Sequence, residues 1–120
     1  MLEILPGTPD NVIAVKASGD ITADDYTKTL DPAVDAQLSK FGELRAVIVL
    51  GPEWKGMTVG AVWEDLKVGL AKITKWKRCA VVTDRNWVDH AMTAFGWMTP
   101  GDVKAFPLDQ EADAMTWAAA

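Results

Sequence analysis

Residues 44–50 read "LRAVIVL", an unbroken apolar run rich in β-branched side chains. A strand with one face in water alternates apolar and polar residues, so a run without alternation reads as a strand buried on both faces. Residues 78–84, "RCAVVTD", have the same character. Between the two runs, Val59, Val62, Trp63, Leu66, Leu70 and Ile73 recur three and four residues apart, the spacing of one helical face. Two such strands joined by a helix imply a parallel pair, because the crossover must lie on a face of the sheet.

Upstream, "LEIL" and "VIAVKASG" flank "PGTPDN" and read as two short antiparallel strands around a turn punctuated by Pro6, Gly7, Pro9 and Asp10. In "GDITADDY", Thr22 and Asp25 have the spacing of a capping box. Tyr26, Leu30, Val34, Leu38 and Phe41 continue an apolar stripe that Pro32 interrupts, which predicts a broken helix over 22–41. Downstream, Trp87, Ala91, Ala94, Phe95 and Met98 share a helical stripe, "VKAFPL" reads as a short strand, and Asp109 is expected to cap a last helix through Met115 and Trp117. The order β-β-α-β-α-β-α-β-α predicts one α/β domain over residues 1–120. Its sheet is mixed, mostly parallel, of about five strands and covered by helices, with 44–50 and 78–83 central.

Seventeen acids against twelve bases give a formal charge of -5. A nucleic-acid or anionic-membrane surface needs clustered Lys and Arg, so neither partner is expected. Cys79 is the single cysteine, which excludes an internal disulfide. "MLEILPGTPD" lacks an apolar run of signal-peptide length, and no stretch approaches the roughly twenty apolar residues of a membrane span. A cytoplasmic protein with no integral membrane segment is the expectation.

The segments "GDITADDYTKTLDPAVD", "LRAVIVL", "WEDLK", "CAVVTDRNW" and "GDVKAFPLDQEADAMTW" together resemble a bacterial family of small stand-alone SpoIIAA-like proteins, also described as STAS/SEC14-like. The resemblance covers nearly the whole chain. It implies the SpoIIAA-like fold of STAS domains and, for function, a regulatory module that meets a protein partner or a carrier of a small apolar ligand. In anti-sigma-factor antagonists of that fold, the strand-to-helix turn carries an Asp-Ser-x-Gly-like motif whose serine is phosphorylated. The matching turn here is Met57-Thr58-Val59-Gly60, with threonine for serine and methionine in the acid's place. Thr58 reads more simply as a helix N-cap, so its phosphorylation is not expected.

No catalytic constellation emerges. His90, the only histidine, adjoins Asp89, but adjacent helical positions do not face each other, and His90 reads as a surface or boundary residue. Cys79 lies inside an apolar strand and reads as a small buried hydrophobe. The spacing of cysteine and histidine offers no metal site, and the glycines at 51, 56 and 60 match neither a P-loop nor a dinucleotide fingerprint, so no cofactor is expected. Asp84, Arg85 and Asn86 follow the second buried strand, where open α/β sheets bind ligands, although Asp84 or Asn86 would equally serve as a helix cap.

The six tryptophans exceed what a small core requires. Trp63, Trp87 and Trp117 fall on apolar stripes. Trp54, Trp76 and Trp97 do not, and tryptophans outside a core mark interfaces or ligand walls. Residues 54–58 therefore read as a mobile lid over the strand ends. Trp54 and Met57 would form an apolar cleft with Asp84, Arg85 and Asn86 at its polar tip. The same surplus predicts a homodimer through exposed tryptophan and methionine side chains. An enzyme resting on Asp84, Arg85 and His90 is the least supported class.

Overall fold

Five strands form one sheet in the sequential order β1-β2-β3-β4-β5: β1 (Leu2–Ile4), β2 (Ile13–Ile21), β3 (Leu44–Met57), β4 (Trp76–Thr83) and β5 (Asp102–Phe106). The computed structural model describes residues 1–57, 75–83 and 102–120, with residues 56, 57, 102 and 103 described by their backbone alone. β1 pairs antiparallel with β2, and every other pairing is parallel. The two doubly apolar runs take the inner positions β3 and β4, as their patterning requires. The helices expected over Val59–Ile73 and Trp87–Met98 lie outside the described residues, with Trp63, Trp87, Trp97 and His90.

Strand alternation divides the core into two layers. Ile13, Val15, Ala17, Leu44, Leu50 and Val81 share one face with Tyr26 and Val34. Val12, Ala14, Val47, Val49, Ala80 and Val82 share the other with Phe106, Ala114 and Ala118. The first face carries helix α1 (Asp31–Phe41) and the second helix α2 (Glu111–Ala119). Helical cover on both sides is why these strands tolerate no polar face.

The predicted break before α1 is a wide turn instead. Helical backbone begins at Ala23, passes through a π-helical segment at Asp25–Leu30 and continues directly into α1. The Asp31 amide donates to the Tyr26 carbonyl, five residues back. Pro32 has no amide to give and its ring crowds the carbonyl four residues behind it. The π-turn immediately before it absorbs the mismatch without ending the helix. α1 stops where Gly42 adopts φ +73 and returns its amide to the Leu38 carbonyl.

The last helix differs from expectation at its start. Asp109 lies within a single 3-10 turn, Leu108–Gln110, and no side chain caps α2. The opposite end is closed more firmly. Arg78 donates to the Trp117 carbonyl at 2.7 Å, Arg45 to Ala118 at 2.8 Å and to Ala120 at 3.0 Å, and Asn11 to Ala119 at 3.1 Å. Carbonyls that a helix leaves without internal partners thus meet donors from β3, β4 and the segment just before β2. Ala114 and Ala118, one turn apart and fully buried, let this helix lie close on the sheet.

Candidate functional site

All four parallel strands end on the same side of the sheet, the side on which open α/β folds place ligands and partners. Two of the strands end irregularly. From Ala17↔Leu50 to Ile21↔Met57, β2 advances four residues while β3 advances seven, so β3 holds three extra residues. Gly51, Pro52 and Glu53 lie in the first mismatch and Lys55 in the second. Pro52 is exposed in a bulge, the one kind of interior strand position where a missing amide is harmless. Opposite, Gly19 takes φ +57, a conformation that favours glycine, and space is not the reason, since a Cβ there would meet nothing within 4 Å.

This geometry corrects the lid reading. Gly51–Met57 is not a loop but the continuation of β3, and Trp54 is 4% exposed, packed in the layer that contains Tyr26 and Ile21. The bulge shifts the inward-facing set, so a position that simple alternation leaves without a role becomes core. Trp54 is therefore core packing on a strand and not part of a loop lid. The other described tryptophans are also partly withdrawn from solvent. Trp76 packs against the Trp54 layer, and Trp117 lies against Phe106 with ring centroids 5.9 Å apart and under the Arg78 guanidinium at 5.0 Å. Among the described residues, Trp54 is committed to packing and Trp76 and Trp117 are half-buried, while Trp97, also expected at an interface, lies outside the described residues.

Of the remaining candidates, Met57 ends β3 as backbone, and Thr58, Asp84, Arg85 and Asn86 lie outside the described residues. Thr83, immediately before Asp84, is buried beside Leu50 at the end of β4. Cys79, expected to be buried, is half-exposed in β4. Among the described residues, no group of three or more His, Cys, Asp or Glu side chains has metal-binding geometry.

What the bulged ends do present is a polar rim. Asp20, Thr22, Pro52, Glu53 and Lys55 are exposed around the buried Trp54. The capping box fixes one side of it. Asp25 accepts from the Thr22 amide at 2.8 Å and its hydroxyl at 3.1 Å, while the Asp25 amide reaches back to the Thr22 hydroxyl at 3.4 Å. Asp25 also receives the Leu2 amide at 3.4 Å and lies 3.4 Å from the Met1 amino group, joining β1 to the helix start. Burial raises the Asp25 pKa, but the Thr22 amide and hydroxyl, the Met1 amino charge and the Leu2 amide outweigh it, and the carboxyl sits below its ordinary value.

The sequence profile of the SpoIIAA-like family matches residues 12–119. Among solved structures, an uncharacterized protein of the DUF3478 family with a SpoIIAA-like fold, from Shewanella loihica PV-4, is similar with a TM-score of 0.80 at 28% sequence identity, covering 98% of this chain and 93% of that one. No curated protein matches the chain.

Proposed function

The chain belongs to the SpoIIAA-like family, and from that premise we propose that it is a non-enzymatic cytoplasmic module that engages a protein partner at the carboxyl end of its sheet. The observation that supports this reading is the rim around Trp54. It sets exposed polar groups on a bulged strand pair over the buried Trp54. Such a rim offers a protein partner complementary charge and hydrogen-bond contacts, whereas a small apolar ligand needs concave apolar walls.

The second reading is a carrier of a small apolar ligand. It keeps Met57, Asp84, Arg85 and Asn86, which follow or end β3 and β4 on the side where open sheets bind ligands. It loses Trp54, which is committed to packing. Native mass spectrometry of freshly purified protein separates the two. The partner reading expects a bare chain, and a retained lipid-sized adduct would favour the carrier.

A further inference from the structure

We propose that β1 is exchanged between two copies of this chain, the second copy supplying the strand that covers the β2 edge. The proposal is independent of the partner reading above. β1 is a three-residue edge strand, and among the described residues its ties run to β2 and to the helix start: the ladder pairs Leu2↔Ala17, Glu3↔Lys16 and Ile4↔Val15, the flanking bonds of Met1 to Ser18 and Asp20 and of the Leu5 amide to Ala14, the buried Leu2 side chain, and the Leu2 amide and Met1 amino group on Asp25. Each of these can be remade unchanged by an identical strand from another copy. Two reciprocal exchanges give a closed twofold dimer, so the cost is confined to association and to opening the connection.

The connection opens at two places, Gly7 and the turn at Pro9–Val12. Pro6 and Pro9 bias Leu5 and Thr8 toward extended backbone, which favours a straight link over a reversal. The reversal is shared between the Pro9–Val12 turn and Gly7, exposed at φ +72, where a Cβ would meet nothing within 4 Å. Glycine adopts extended backbone about as readily as this turn, so Gly7 can straighten at little cost. The rest of the reversal is held by one bond, the Val12 amide on the Pro9 carbonyl, which must also open, and the Leu5 amide on the Ala14 carbonyl is remade by the incoming strand.

Glu3 and Lys16 provide the test, since antiparallel partners lie about 5.5 Å or less apart at Cα, within disulfide range. In a Cys79→Ser background, Glu3→Cys/Lys16→Cys protein is prepared with and without 15N, and the two forms are refolded together and oxidised. Peptides linking positions 3 and 16 should include heavy–light hybrids whose fraction rises with protein concentration. Linked peptides that are all heavy or all light at every concentration would overturn the proposal. A second measurement needs no crosslink. Gly7→Val alone strains the reversal but not the open form, so light scattering should find several-fold more dimer than in wild type. Pro6→Ala/Pro9→Ala should show less. Equal dimer fractions in all three proteins would contradict the exchange.

Discussion

Arg45 and Arg78 are partners across the β3–β4 ladder, and both guanidinium groups donate to carbonyls at the last turn of α2. Two like charges side by side on one sheet face would repel, but each faces the negative end of a helix dipole. Arg45 is 8% exposed and also lies 3.8 Å from Glu43. Arg45→Met should therefore leave buried carbonyls without donors and cost about 2–3 kcal/mol in urea unfolding. Arg45→Lys should restore part of this, because both bonds leave the single nitrogen Nη1 and an ammonium also carries several donors on one nitrogen, while the Nη2 contact with Glu43 is lost. A loss under about 0.5 kcal/mol, the scale of an ordinary surface change, would contradict the clamp.

Trp54 and Gly19 are register partners at the bulge, one buried and one at positive φ. Trp54→Ala should cost about 3–5 kcal/mol as a core truncation. Gly19→Ala should cost about 1–2 kcal/mol through backbone strain alone. In a variant that keeps Trp54 as its only tryptophan, acrylamide should quench its emission weakly. Quenching at the rate of a free indole would restore the lid.

Where apolar pattern and strand pairing agree, sequence and structure coincide. "LRAVIVL" is central because nothing but a doubly covered strand tolerates it, and the Thr22–Asp25 spacing becomes a reciprocal cap. The misreadings arise where a local signal is overridden by its neighbours. Gly51, Pro52 and Gly56 carry the composition of a loop, yet β3 runs through them because a bulge needs those residues. Pro32 has the look of a helix start, yet the π-turn before it carries the helix past. For the site, the strand ends were foreseeable from topology. The role of Trp54 was not, since it depends on a register shift that no single-strand periodicity contains.

Asp25 should make stability depend on acid. Its folded pKa lies below the unfolded one, so its contribution is complete above about pH 4 and is lost as pH falls through the folded value. Asp25→Asn should lower stability at neutral pH by about 1 kcal/mol, the worth of a cap, and flatten the acid limb of the stability profile. An acid limb identical to wild type would remove Asp25 as its source.

Thr58 directly follows the end of β3. If it serves as an N-cap and not a switch, Thr58→Ala should bind its partner like wild type with about 1 kcal/mol less stability. A Thr58→Glu variant that alone abolished partner binding would overturn this and point to phosphate control.

The claim that a protein partner docks on the rim around Trp54 is tested most directly by photo-crosslinking in cells. A benzoylphenylalanine is placed at Lys55, on the rim, and separately at Lys77, exposed near the start of β4 at the opposite end of the sheet. The account predicts a discrete protein adduct from position 55, lost when Asp20→Lys/Glu53→Lys is added, and none from position 77. An adduct from position 77 alone, or one from position 55 indifferent to those charge reversals, would contradict it.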